Sequence, residues 1–308
     1  MPWPLGHYLR YQGRSPCSRT MPRLSEDGPT PRPQHAFPPV VVGGIGGSGT
    51  RVVVQLLQAA GLCMGKRLNA SLDLLDFVPQ FEAHVPAILN AVRSPSYDLT
   101  DLGTVERSGV MAACHAIIHA LEQQAEGRPW GWKNPRIIYL LPFIQAVAPQ
   151  MRFVQVVRDG RDMALSGNQN QLRSYGRYIL GDDATDAVAA ARFWQVVNLA
   201  VAAWGQRHLP GRHLCLRYED LLLHPAQTAA RLLDFIAAPA LAPATLERWQ
   251  AGLRPSPGMG RWQALAPPLQ QAIGQACAAG LASFGYLPPE PAPGPPCTAS
   301  ANAMDTRP

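Results

Sequence analysis

The sequence predicts an α/β fold, one domain whose central parallel sheet is covered by helices on both faces. Three observations predict it. The run "PPVVVGGIGGSGTRVVVQLLQAAG", residues 38–61, passes from an apolar strand through glycines into a helical pattern. "MRFVQVV", residues 151–157, is a continuous apolar strand of the kind buried between two layers. From 39 to 283 strand and helix patterns alternate, which is the signature of strands joined by crossover helices. The 308 residues show no repeat and no separating linker, so a single domain spanning 38–287 is the simplest division.

The elements follow in order. A strand at about 39–44 leads through a P-loop-like glycine turn into a helix at about 49–60. "GKRLNASLDLLDFVPQFEAH" has no sustained period and reads as an irregular stretch, a substrate-side loop or short helices. Residues 104–126 repeat apolar positions at helical spacing and stop at Gly127. "PWGWKNP" is a short strand ending at Lys133, and Pro135 opens a helix through "RIIYLLPFIQAVAP". After the 151–157 strand comes "RDGRDMALSGNQNQL". A long helix near 186–208, a strand "HLCLRY", a helix in "HPAQTAARLLDFIA" and a last helix near 265–283 complete the domain.

Composition narrows the class. Residues 1–37 and 288–308 are rich in proline without periodicity and read as disordered tails. The first lacks the apolar core of about 7 to 15 residues of a signal peptide, and no apolar run of about 18 residues occurs, so a cytoplasmic chain without a membrane span is expected. Cys17, Cys63, Cys114, Cys215, Cys277 and Cys297 have no C-x-x-C spacing, which argues against structural zinc or a disulfide framework. A net charge of +6 and a pI near 9.2 favour an anionic ligand, with no sign of nucleic-acid binding. Lysine occurs only at Lys66 and Lys133, so a lysine here can be present for its own chemistry.

A strand, a glycine turn and a helix N-terminus make an anion site, because backbone N–H groups and the helix dipole converge there. Gly44, Gly46 and Gly49 spell the dinucleotide pattern G-x-G-x-x-G, but "LCMGKRLNASLD" offers no second strand with its acidic end. Gly44 to Gly49 also fit a Walker frame, yet Thr50 and Arg51 stand where Lys and Ser/Thr belong. In a parallel sheet, "GGIGGSGTR", "GWKNPR" and "VVRDGRDMALS" end at one edge. Arg158 and Ser166, eight residues apart, can both address an anion there.

This combination resembles the sulfotransferase superfamily that uses 3′-phosphoadenosine-5′-phosphosulfate (PAPS), and in style its tyrosylprotein and carbohydrate branches. The resemblance implies that Gly46, Gly47, Ser48, Gly49, Thr50 and Arg51 form the 5′-phosphosulfate loop and that Arg158 and Ser166 hold the 3′-phosphate. Lys133-Asn134-Pro135 matches the family's K-[DN]-P, "LRYEDLLLHPAQTAARLLDFI" its late strand and helix, and "PSPGMGRW" its final glycine loop, which places Ser256 and Arg261 near the nucleotide. One position departs: Gly47 stands where the loop usually carries Lys or Arg, and Arg51 is the cation that could replace it.

Sulfuryl transfer needs a cation for the leaving oxygen and a base for the acceptor hydroxyl. Lys133 suits the first as a compact point charge. Asp73 is the first choice for the second, with Asp76, Glu82 and His84 as alternatives in the same stretch. PAPS is expected as co-substrate without a metal, and a hydroxyl of a sugar, lipid, phenol or peptide as acceptor, with a small molecule or glycan as partner. The rivals are a phosphotransferase on the same loop, a catalytically inactive nucleotide-binding relative and, weaker, a dinucleotide oxidoreductase. His115 and His119, four apart with Glu122 nearby, fit a partly buried helix face better than zinc, because H-E-x-x-H is not completed. Trp194, Trp204 and Trp262 read as core before adenine platforms, and Glu219 and Asp220 as structural.

Overall fold

The computed structural model describes residues 37–287, so the tails expected at 1–37 and 288–308 lie, Phe37 apart, outside the described residues. Four parallel strands form the sheet: β1 Val40–Gly44, β2 Gly131–Lys133, β3 Arg152–Val157 and β4 His213–Arg217. Their order is β2-β1-β3-β4. Val41 lies opposite Trp132 on one side and Phe153 on the other, and Val157 lies opposite Arg217. The chain steps from β1 to one side and returns on the other, so strand order reverses between β1 and β3. Sheets of this kind open a ligand crevice at that point, beyond the strands' carboxyl ends.

Both faces are covered, as expected, and the side-chain alternation of the strands decides which residues meet which helices. Val41, Phe153 and Val157 point into a core with α4 Thr104–Ala125, α5 Leu141–Val147, α7 Asn170–Leu180 and α8 Ala187–His208. Val40, Val42, Val154, Val156, Leu214 and Leu216 face α1 Thr50–Ala59, Leu221 of α9 Tyr218–Leu223, α10 Pro225–Phe235 and Trp249 of α11 Pro243–Ala251. Truncating a fully buried leucine such as Leu57 to Ala would cost about 2 to 5 kcal/mol.

The stretch read as a loop or short helices carries a short helix, α2 Val78–Ala83, and a second, α3 Val85–Val92, lies just beyond it; each has a proline in its first turn and is too short to display a period. Other elements differ from the pattern. Pro142 has no N–H to give, so residues 135–147 split into a 3₁₀ turn, Pro135–Tyr139, and α5. The last helix divides at Cys277 into α12 Pro267–Ala276 and α13 Ala278–Ser283, where Gly280 packs so tightly on Trp194 that a Cβ would lie 2.5 Å from its ring. Among the described residues, α8 is the one helix long and apolar enough, by length and composition, to cross a membrane; Arg192, Gln195 and Asn198 interrupt it, so it holds no unbroken apolar run of about 18 residues. Its Trp194, Val197, Val201 and Trp204 are buried in the core, as a central helix of this architecture requires.

Candidate active site

The glycine loop joins β1 to α1. Gly47 and Gly49 have φ of 98° and 88°, a left-handed backbone that glycine adopts without strain. Gly49 has a second constraint, since a Cβ there would overlap the ring of Tyr218. The loop turns on Ser48 N–H donating to Ile45 O at 3.1 Å, and α1 starts at Thr50 with no side-chain cap and no acidic residue in its first turn. Ser48 is fully buried and its Oγ has no hydrogen-bond partner. A buried hydroxyl beside a helix N-terminus without a partner is a costly arrangement that an anion would satisfy.

Beyond β3 the chain passes through α6 Gly160–Ala164. Ser166 lies past the end of this short helix and not within it. It still meets the loop, since a Cβ on Gly47 would be 3.4 Å from Ser166 Oγ. Arg158 is buried; its Nη1 donates to Ser256 Oγ at 3.1 Å, its guanidinium lies 5.2 Å from the Tyr218 ring centroid, and its Nε has no partner. Ser256 Oγ also accepts Gly258 N–H at 3.3 Å. A Cβ on Gly258 would stand 3.2 Å from Arg261 Cζ and 3.4 Å from Arg158 Nη2, so two guanidinium groups border one glycine. The final glycine loop therefore reaches the end of β3.

Lys133 ends β2 with its side chain 2% exposed. Its Nζ donates to Ser71 O at 2.7 Å and pairs with Asp73 Oδ1. The other Asp73 oxygen accepts Asn69 Nδ2 at 3.1 Å, and Asn69 Oδ1 accepts the N–H groups of Ser71 and Asp73. The 69–74 loop is clamped onto the strand end by Leu74 N–H on Lys133 O and Asn134 Nδ2 on Leu74 O. Burial pulls the Lys133 pKa down, the Asp73 hydrogen bond and charge oppose this, and the Arg51 charge adds to the lowering.

The remaining candidates separate. Asp76 accepts Arg67 Nη1 at 3.2 Å in an exposed pair, Glu82 is exposed on α2, and His84 sits between α2 and α3. His115 and His119 stack with ring centroids 6.3 Å apart on an exposed face of α4, not a partly buried one. Among the described residues no three His, Cys, Asp or Glu side chains are grouped to hold a metal. Trp194 and Trp204 are core, whereas Trp262 is half-buried under the Arg161 guanidinium, 3.8 Å from its ring centroid. Glu219 accepts Asp159 N–H at 3.0 Å and Tyr286 Oη at 2.7 Å, a structural role.

Sequence reasoning missed Tyr218 and Asn69. Tyr218 follows β4 directly, so the strand-end rule applied to the other three strands would have found it.

A family model described as the sulfotransferase family matches residues 38–242, from the start of β1 to the edge of α11. The chain belongs to the sulfotransferase family. No curated protein matches its sequence. Among solved structures, the sulfotransferase STF9 from Mycobacterium avium is 14% identical with a TM-score of 0.50, over 80% of this chain and 77% of that one. The sulfotransferase domain of the Synechococcus PCC 7002 olefin synthase is 18% identical with a TM-score of 0.47, over 83% of this chain and 98% of that one. As a sulfotransferase, the protein is an enzyme of sulfuryl transfer. The elements that carry the glycine loop, Lys133, Arg158 and Ser166 all fall within the matched residues.

Proposed function

We propose that this sulfotransferase moves a sulfuryl group from PAPS to a hydroxyl of a small molecule or glycan. The observation that carries the reading is a pair of buried polar atoms without partners, Ser48 Oγ in the glycine loop and Arg158 Nε beyond β3, on two adjacent strand ends. A nucleotide with phosphates at both ends would satisfy both. PAPS, when bound, supplies the sulfuryl group at its 5′ end and a 3′-phosphate at the other.

Gly46, Gly47, Ser48, Gly49 and Thr50 would hold the 5′ end through backbone N–H groups and the α1 dipole. Arg158, Ser166, Ser256 and Arg261 would take the 3′-phosphate with charge-assisted hydrogen bonds. Two of the three Lys133 ammonium hydrogens are committed to Ser71 and Asp73, which leaves one to stabilise the leaving oxygen. Arg51 adds the positive charge that Gly47 does not supply. Asp73, kept beside Lys133, takes the acceptor's proton.

The test is calorimetric titration with adenosine 3′,5′-bisphosphate (PAP), AMP, ATP and NAD, followed by turnover of labelled PAPS. Tightest binding of PAP is expected. Preference for ATP or NAD would overturn the nucleotide assignment, and binding of PAPS without turnover on any hydroxyl acceptor would leave a nucleotide-binding relative.

A further inference from the structure

Asp162, on α6, is 3% exposed, and carboxylates are rarely buried without a specific partner set. Its partners come from one short segment about a hundred residues later. Oδ2 accepts Gly260 N–H at 2.6 Å, Oδ1 accepts Trp262 N–H at 3.4 Å, and the Asp162 carbonyl accepts Arg261 Nη2 at 3.4 Å. The carboxylate therefore fixes the backbone on both sides of Arg261, and the carbonyl fixes its side chain.

The consequence is electrostatic as well as geometric. Arg261 and Arg158 are held on either side of Gly258, and two guanidinium groups at that spacing repel unless a negative charge is near. Asp162 supplies one, and the charge of Arg158 acts on it in return. Two N–H groups also need two acceptor oxygens. An asparagine would offer one and set its NH₂ against the second N–H, leaving a buried donor unsatisfied.

We propose that Asp162 is a positioning residue that latches the 256–262 loop so that Arg261 and Ser256 join Arg158 around the nucleotide's 3′-phosphate. This rests on the PAPS reading above. Nothing requires Asp162 to touch the nucleotide; it acts through the 256–262 loop, and chiefly through Arg261.

The experiment measures PAP and AMP affinity by calorimetry, and kcat and KM for PAPS, in wild type, Asp162→Asn, Arg261→Ala and the double variant. Asp162→Asn should weaken PAP about tenfold or more while AMP changes less than about twofold, and should raise KM for PAPS with kcat near normal at saturation. The double variant should lose little beyond Arg261→Ala, because one residue acts through the other. Asp162→Ala, which removes both carboxylate oxygens and leaves no side-chain acceptor, carries the same expectation should the asparagine variant not fold. Unchanged PAP affinity, equal losses for PAP and AMP, or additive losses in the double variant would overturn the latch. If the wild type does not prefer PAP to AMP, the nucleotide reading fails and takes this inference with it. If it does and Asp162→Asn matches it, the latch alone fails.

Discussion

The ammonium of Lys133, buried at the end of β2, is paired with the carboxylate of Asp73 sixty residues earlier in the chain. A strand end and a loop thus present an ammonium and a carboxylate as one unit. If the remaining Lys133 hydrogen strengthens its bond as the leaving oxygen gains charge, its benefit belongs to the transition state. Lys133→Ala should lower kcat on the order of 10²- to 10³-fold while PAP affinity changes little. Lys133→Arg should rescue poorly, because a planar fork does not fit the place of a point charge. Weaker PAP binding with normal kcat at saturating PAPS would make Lys133 a phosphate anchor instead.

Asp73→Asn should retain PAP affinity and lose roughly two to four orders of magnitude in rate. Because the two side chains touch, the losses should not add: Lys133→Ala with Asp73→Asn should cost far less than the product of the single losses. Full activity in Asp73→Asn would move the base to Glu82 or His84. Additive losses would show that the pair does not act together.

Arg158→Ala should weaken PAP by about tenfold or more, since a hydrogen bond to a charged group is worth about 1.5 to 3 kcal/mol, and should leave AMP nearly unchanged. Both affinities are read in one calorimetric series. Equal losses would remove Arg158 from the 3′-phosphate.

The fold was legible because parallel strands buried on both faces leave continuous apolar runs, and glycines at a strand end leave a visible mark. The strand ends at Lys133 and Arg158 were legible for the same reason. What stayed hidden depends on tertiary contact. Nothing in "LNASLD" says that Asn69 holds Asp73 or that Ser71 O faces a lysine from another strand. Asp162 reads as an ordinary helical acid until the 256–262 loop folds onto it. Short helices were one of two readings for 65–84, and the choice between loop and helix stayed open because the proline-opened segments α2 and α3 are too short to develop a period.

If Lys133 is the catalytic cation, its lowered pKa should set an alkaline limit on kcat. Burial is the larger cause and the Arg51 charge a smaller one. As pH rises through this lowered value the ammonium is lost, so kcat should fall at a pH below that of an ordinary lysine. Arg51→Gln removes one of the lowering influences, and the midpoint of the alkaline limb should move upward even if the rate itself drops. An unmoved midpoint would place Arg51 too far away to replace the cation absent at Gly47.

His213 gives stability its own pH dependence, away from the site. Its ring stacks on Phe153 with centroids 5.5 Å apart and planes 11° from parallel, and a Cβ on Gly205 would lie 2.6 Å from the ring. Gln155 Nε2 donates to Asn198 O at 3.1 Å, so Gln155 turns Oε1 toward His213 Nε2, also at 3.1 Å, and the histidine donates. Burial lowers its pKa from 6.5 to about 4. The folded protein holds this ring neutral, while the unfolded chain protonates near pH 6.5. Its contribution is therefore complete above pH 6.5 and is lost as pH falls from there toward 4, by at most about 3 kcal/mol. Urea unfolding at pH 7 and pH 4.5 measures the loss. His213→Gln has no ring to protonate, so it should be less stable than wild type at pH 7 and should lose less between the two pH values. The carboxylates titrate in both proteins and cancel from that comparison, so equal losses would show that His213 protonates in the folded protein without penalty.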